Sequence, residues 1–490
     1  NVGFHNYKDY IRNMAKILFV QPGPIEQIGL MSISRTLRDK GHTVRLAYGT
    51  DNDIVKSALS FQPDVVAFTV LLIYLRRFVS VAQSIKDGMP SREPLVVFGG
   101  PQPTLSPEIV LENPVDLVCQ GEGEGALADV LDVFEEGDRT FKNISNIVTK
   151  ENGTYTAAPM RPLEDLDLLP WPDRELSFEH KIMRNDPSIH FAAGRGCPFP
   201  CTFCNAPQFM EIEKGLGAAY RTRSRENLCD EIDEVNKRWG IPSIYFIDDT
   251  FCIQKKWLLE FLEMYGSRFR IPFYCNVRAD QMDEETAMAL KDAGCYLVSF
   301  GIESGVQELR NKVLLKHTSN DRFRQTADIL KRANLRFMAS NIVGLPHETL
   351  EDAISTLKFN TEIGTNVPWV SLYLPFPKTA LAEKALEDGL IEEYYHEGDN
   401  YDIHTGSLLK QPEIDEVVRL HKFSYIVIKF PWTLPIVRKL ITFNLPRVYY
   451  WVHRLTYFWF FFREERLMTW RRTIVEAFAA LRFYDTHEKH

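Results

Sequence analysis

The chain has 490 residues, 45% of them hydrophobic and 25% charged, with a formal net charge of −9. This length accommodates roughly two to four domains with full cores, and the composition is that of an ordinary soluble protein. The acidic balance argues against general nucleic-acid binding. The eight cysteines are one tight triplet, Cys197, Cys201 and Cys204, and five scattered thiols, Cys119, Cys229, Cys252, Cys275 and Cys295. That is a reducing-compartment pattern and not a disulfide framework. The first residues show no charged-then-apolar leader, so a cytoplasmic protein is expected.

Residues 1–150 alternate apolar strand-like runs with helical patterns. Strands are predicted at Lys16–Val20, Thr43–Ala47, Val65–Phe68, Leu95–Phe98 and Val115–Cys119. Helices are predicted near Gly29–Lys40, Asp53–Ser60, Leu75–Lys86, Ser106–Glu112 and Gly125–Glu135. This predicts an α/β, Rossmann-like domain whose parallel sheet is covered on both faces. Its ligand site would lie at the strand carboxyl ends, where the loops begin at Thr69, Gly99 and Gly121. No G-x-G-x-x-G follows the first strand, so a dinucleotide is disfavoured. The loops Gly99-Gly100-Pro101-Gln102-Pro103-Thr104 and Gly121-Glu122-Gly123-Glu124 resemble the cobalamin-binding domain that precedes many radical S-adenosylmethionine (SAM) domains. The resemblance implies cobalamin beside Thr69, Gly99, Gly100, Gln102, Pro103, Gly121, Glu122 and Gly123. The D-x-H-x-x-G signature is absent, which implies cobalamin with its own base displaced and no histidine on cobalt. The alternative is a domain that kept the fold and lost the ligand.

Residues 151–187 read as a linker. Asn152-Gly153 suggests a hairpin turn, and Pro159, Pro162, Pro170, Pro172 and Pro187 then interrupt the chain. An extended crossover is expected. Within it, Leu169-Pro170-Trp171-Pro172-Asp173-Arg174 resembles the packed segment between the two domains of the cobalamin-dependent group.

A second βα series fills residues 188–400. Strands are predicted at Ile189–Ala193, Ser243–Ile247, Phe273–Val277, Tyr296–Phe300, Phe337–Val343 and Trp369–Leu374, each followed by a helix. They predict a (β/α)6 partial TIM barrel with its chemistry at the strand carboxyl ends. The first strand runs into Cys197-x3-Cys201-x2-Cys204, held open by Gly194, Gly196, Pro198 and Pro200. Three thiolates at this spacing can serve one metal centre. No regular fourth ligand for zinc follows, and an iron–sulfur cluster with three ligands leaves one iron open. A broken zinc knuckle is the bland alternative. With Phe203 before the last cysteine, the motif resembles the radical SAM superfamily.

That resemblance implies a [4Fe–4S] cluster on Cys197, Cys201 and Cys204. It implies SAM beside Phe203, Asp249, Arg278, Glu303, Ser304, Gly344 and Pro346. Asp248 or Asp249 could instead cap the next helix. Arg278 could be an ordinary ion-pair partner of Asp280 or Glu303, and His347 a surface residue. One departure is Lys378-Thr379 after Pro377, where many relatives carry Gly-Thr.

Residues 401–490 shift to an aromatic, basic, helical pattern. From Lys422 to Arg472 ten Lys/Arg face two acids, Glu464 and Glu465, a balance of +8. Trp432, Trp451 and the run Phe458–Phe462 are interleaved with Arg438, Arg447, Arg454 and Arg463. No apolar run reaches the ~20 residues of a membrane span. A helix pair lying in a membrane interface, at the inner face of the membrane, is one expectation. A cap over the barrel mouth is another, and a nucleic-acid patch without a recognition fold a third.

The family likeness along residues 15–390 implies a cobalamin-dependent radical SAM enzyme. Its most common reaction is methylation of an unactivated carbon through a 5′-deoxyadenosyl radical and methylcobalamin. The substrate class implied is small and apolar, lipid-like or tetrapyrrole, and the electron donor a flavodoxin or ferredoxin. An anaerobic oxidative cyclase of the magnesium-protoporphyrin ester type shares all these motifs. A cobalamin or iron–sulfur sensor is the reading from another class.

Overall fold

A computed structural model describes residues 14–137, 139–392 and 406–456. The chain divides into two compact units. The first is Asn1–Asp186 with Glu211–Ala219, and the second Pro187–Met210 with Tyr220–His490.

The first unit holds β1 (Lys16–Val20), β2 (Thr43–Ala47), β3 (Val65–Thr69), β4 (Leu95–Gly99), β5 (Leu117–Cys119), β6 (Ile147–Glu151) and β7 (Thr154–Ala157). They form one sheet in the order β2-β1-β3-β4-β5-β6-β7. The pairings among β1 to β5 are parallel, while β6 and β7 run antiparallel. The near-continuous apolar strands are explained by burial on both faces. Ile17, Phe19, Val65, Ala67 and Val97 pack with Leu30, Met31, Ala126 and Val130 on one side. On β3 and β4 the rings of Phe68 and Phe98 approach to 5.0 Å, with Phe78 5.3 Å from Phe68. The Asn152-Gly153 turn closes the β6–β7 hairpin, both residues at positive φ.

Two local expectations need correction. The stretch from Pro101, read as open loop, is a short helix, Pro101–Leu105, and the helix expected after it is a 3-10 turn, Pro107–Leu111. Proline at the first helical positions costs no hydrogen bond, so the two-proline loop can wind. The supposed extended linker carries helices Arg174–Phe178 and Lys181–Arg184. Asp173 accepts from Ser34 Oγ at 2.6 Å, and Arg174 pairs with Glu26 at 2.9 Å, all four side chains buried. Those polar anchors fasten the segment to the first unit.

The second unit contains β8 (Ile189–Phe191), β9 (Gly194–Arg195), β10 (Arg221–Thr222), β11 (Ile244–Phe246), β12 (Phe273–Asn276), β13 (Cys295–Glu303), β14 (Arg336–Val343) and β15 (Val367–Leu372). Strands β9 and β10 pair antiparallel as a small ribbon. The other six form a sheet in sequential order from β8 to β15, every pairing parallel, as in a partial barrel. One face packs on helices. On the other, Tyr274, Leu297, Met338 and Val367 cluster with Tyr245 and Trp369, and Tyr245 stacks on Tyr274 at 4.1 Å.

The edge strand β15 is covered by the helix Ile414–Lys429. His421 Nε2 lies 2.9 Å from the Val370 carbonyl, and Lys429 Nζ donates to those of Thr365 and Asn366. A strand edge masked in this way cannot recruit another chain. Short helices Leu434–Leu440 and Pro446–Thr456 follow and seat Val437 and Tyr449 in the same core. The aromatic run Phe458–Phe462 lies outside the described residues.

Candidate functional site

The three-cysteine loop is held from behind by backbone hydrogen bonds. Asp248, at the end of β11, accepts from the N–H groups of Ala193 at 3.0 Å and Gly194 at 2.7 Å. It therefore fixes the entry to the loop and does not cap a helix. Burial pushes its carboxyl up to about 6, against the pull of those two donors. Thr202 fastens the other side. Its Oγ1 donates to Val313 O at 2.7 Å, its N–H to Leu314 O, and its carbonyl accepts from Leu381. Phe203 packs against the core of Leu314, Leu345, Tyr373 and Leu381.

Cys201 is buried, while Cys197 and Cys204 are partly exposed. Desolvation raises all three thiols, Cys204 to about 11, while Lys316 and Arg278 pull Cys201 back. Among the described residues no three His, Cys, Asp or Glu converge tightly enough to grip one metal ion. A [4Fe–4S] cluster takes each thiolate on a different iron and tolerates wider spacing than zinc does. The donor set, with two cations beside it to offset thiolate charge, fits such a cluster.

Beside this loop, β13 ends at Glu303, whose Oε1 lies 2.7 Å from Lys316 Nζ. Glu303 has φ +64, and a Cβ on Gly301 would collide with both carboxylate and ammonium. Glycine at 301 is thus required by the pair. Arg278 is committed elsewhere. It forks onto Asp280 at 3.0 and 2.8 Å, donates to Lys316 O, and lies 3.7 Å from the centre of the Phe199 ring. The ion-pair reading of Arg278 therefore holds for Asp280, while Lys316 takes Glu303.

Asp249 is open to solvent and close enough to Cys197 and Cys204 to raise both thiols. Ser304 is fully buried, and its Oγ accepts from Val306 N–H, so its side chain serves the local turn. Gly344 and Pro346 are buried, and Gly344 and Leu345 both donate to Glu348 Oε2. Burial pushes Glu348 up to about 8. His347 is exposed and 2.8 Å from Asp388, as a surface residue should be.

In the first unit the sheet order reverses between β1 and β3, the switch point where ligands of such sheets bind. Ile25 after β1, and Leu71 and Ile73 after β3, are exposed apolar side chains on the two flanking loops. Gln21, the first residue past β1, donates its amide to Gly23 O at 2.6 Å and Ile25 O at 2.8 Å. Thr69 and Gly99 end neighbouring strands in register. Gly100 has φ +96, and a Cβ there would stand 3.1 Å from Thr69 Oγ1 and Val70 N. Gln102 and Pro103 are buried, with Gln102 Nε2 bound to Ser106 Oγ at 3.2 Å. Gly121 and Glu122 are partly exposed and Gly123 is buried.

Lys316, Thr202, Thr104 and Asn146 are structural keys to which the sequence reading gave no role, and Asp248, read as a possible helix cap, is another. Thr104 Oγ1 bridges Gly100 O and Gly121 N–H, and Asn146 Nδ2 donates to Gln120 O and Glu122 O. Thr202 and Thr104 lie inside the cysteine and glycine loops, where the reading rested on their neighbours, while Lys316 and Asn146 have no fixed offset from a motif.

The radical SAM superfamily model matches residues 192–359, and the B12 binding domain model matches residues 16–131. "Uncharacterized methyltransferase PH0819" of Pyrococcus horikoshii is 31% identical over 81% of this chain and 84% of its own length. The chain belongs to the cobalamin-binding radical SAM family. It is an enzyme of that family, whose cofactors are a [4Fe–4S] cluster, SAM and cobalamin. The anaerobic magnesium-protoporphyrin IX monomethyl ester cyclase of Rubrivivax gelatinosus is 26% identical over 68% of the chain and 60% of that relative. The radical SAM methyltransferase TsrM of Kitasatospora setae, solved with tryptophan and a SAM analogue, superposes with a TM-score of 0.63. It covers 76% of each chain at 19% identity, a likeness of fold alone.

Proposed function

We propose that this radical SAM enzyme methylates an unactivated carbon of a small, apolar, lipid-like or tetrapyrrole substrate. The observation that carries the reading is the three-thiol loop set beside the buried Lys316–Glu303 pair at the strand carboxyl ends. When bound, the cluster, SAM and cobalamin supply a carbon-centred radical and a transferable methyl group. The chain's own residues position these groups. In this reading Cys197, Cys201 and Cys204 hold the cluster, and Thr202 and Asp248 fix the loop that presents them. Phe203, Asp249, Glu303, Gly344 and Pro346 border SAM. Arg278 and Ser304 support that border from behind, through Asp280 and the turn at Val306. Lys316, 2.7 Å from Glu303 Oε1, holds that side chain in place. Thr69, Gly99, Gly100, Gly121, Glu122 and Gly123 border the corrin, with Gln102 and Pro103 buttressing the loop. The apolar floor of Tyr245, Tyr274, Met338 and Trp369 suits a substrate with a hydrophobic body.

The reaction draws its electron from a flavodoxin or ferredoxin. All eight cysteines are free, which fits a reducing compartment such as the cytoplasm. A second reading, oxidative cyclisation, is favoured by the likeness to the anaerobic cyclase. Mass spectrometry of products from anaerobically reconstituted enzyme with candidate lipids and porphyrins separates the two. Methyl transfer adds one CH2 to the substrate, whereas ring closure adds no carbon.

A further inference from the structure

The described C-terminal helices expose an apolar face that their own packing does not use. Helix Pro446–Thr456 puts Tyr449 and Val452 into the core beneath it. Val448, Trp451 and Leu455 recur at helical spacing on the adjoining face, and all three are exposed, Trp451 at 56% and Leu455 at 63%. Phe443 and Leu445 in the preceding turn are exposed too, as are Ile436 and Trp432, the last at 71%. Every exposed Trp and Phe among the described residues lies between Phe430 and Trp451. Single exposed hydrophobics are ordinary, but this concentration marks a contact surface.

The charge around it selects the partner. Residues 417–463 contain no Asp or Glu, in a chain of net charge −9. Arg447 and Arg454, one heptad apart, flank the apolar stripe, with Arg454 5.1 Å from the centre of the Tyr450 ring. Lys439 is exposed, and Arg438 pairs with Glu351 at the border. No described helix is long and apolar enough to cross a membrane. Tryptophan and phenylalanine side chains beside arginines, on helices that carry no acid of their own and with Glu351 paired at the border, match the interface of an anionic bilayer.

We propose that the face formed by Trp432, Ile436, Phe443, Val448, Trp451 and Leu455 docks this enzyme on an anionic lipid surface. The face lies on the helices beside the edge strand β15, so docking holds that side of the barrel sheet against the bilayer.

Full-length protein and a Trp432→Ser/Trp451→Ser variant are floated with phosphatidylcholine vesicles, with and without phosphatidylglycerol. Wild type is expected to partition onto the anionic vesicles, less so at high salt, and the variant to lose at least about tenfold in partition. Arg447→Gln and Arg454→Gln should each weaken binding about fivefold to anionic vesicles only. All the substitutions are on exposed or partly exposed positions, and unchanged thermal unfolding confirms the fold. Absence of partition overturns the proposal, as does partition that the substitutions leave unchanged. A concentration-dependent dimer that the double variant abolishes, without lipid binding, assigns the face to a second copy and also overturns it.

Discussion

Lys316 Nζ and Glu303 Oε1 stand 2.7 Å apart in a pocket that leaves each side chain about one-tenth exposed. Burying either charge without its partner would be costly. The pair preserves a carboxylate at the end of β13 beside the cysteine loop, and Lys316 also tempers Cys201.

Lys316→Met should therefore destabilise the protein by about 3 kcal/mol, since it strands a buried carboxylate. The Lys316→Met/Glu303→Gln double variant should recover most of that loss while still binding SAM poorly. Denaturation midpoints read the first effect and equilibrium SAM binding the second. Equal stability of the single and double variants would break the argument.

Glu348 gives a pH signature. Its carboxyl is lifted from an ordinary 4.5 to about 8 by burial, although Gly344 and Leu345 donate to it. The folded chain then keeps a proton that the unfolded chain releases. This stabilises the fold fully below about pH 4.5, and the contribution is lost as pH rises towards 8. Glu348→Gln keeps an acceptor for both N–H groups and cannot ionise. Its urea midpoint relative to wild type should rise between pH 5.5 and 8.5, by up to about 1.4 kcal/mol per pH unit. A constant difference across that range would contradict the assignment.

Gly100→Ala tests the corrin side. The new methyl meets Thr69 Oγ1 and Val70 in a backbone at φ +96 and ψ −169, a region essentially reserved for glycine that costs an L-residue about 1–3 kcal/mol. The variant should fold but retain cobalamin about tenfold less well, as read by the corrin absorbance after desalting. Retention equal to wild type would place cobalamin elsewhere.

Much of this was readable in advance because parallel strands announce themselves. β1 and β2 fall where alternation and apolar runs put them, and so do the six strands of the second sheet to within three residues, since burial on both faces leaves few polar choices. The Pro101–Leu105 helix was missed because prolines signal a break unless they sit at a helix start. The Lys316–Glu303 pair was missed because thirteen residues and a helix separate its partners, so only the fold brings them together. The Lys378 departure was visible, and the structure shows its cost.

Lys378 adopts φ +64, the left-handed conformation that glycine takes freely. Thr379 beside it is fully buried, with Oγ1 donating to Phe376 O at 2.7 Å, so the turn has no room to relax. Lys378→Gly should raise stability by about 0.5–1 kcal/mol, seen as a higher thermal midpoint. A lower midpoint would mean that contacts of the Lys378 side chain outweigh the backbone strain.

The central claim is tested most directly by iron, sulfide and 5′-deoxyadenosine measured on anaerobically reconstituted protein and its Cys201→Ala variant. Wild type should bind about four irons and four sulfides and cleave SAM when given an electron. Cys201→Ala should keep its circular dichroism and form no deoxyadenosine. Zinc at the loop in place of iron and sulfide, or undiminished SAM cleavage by the variant, would contradict the account.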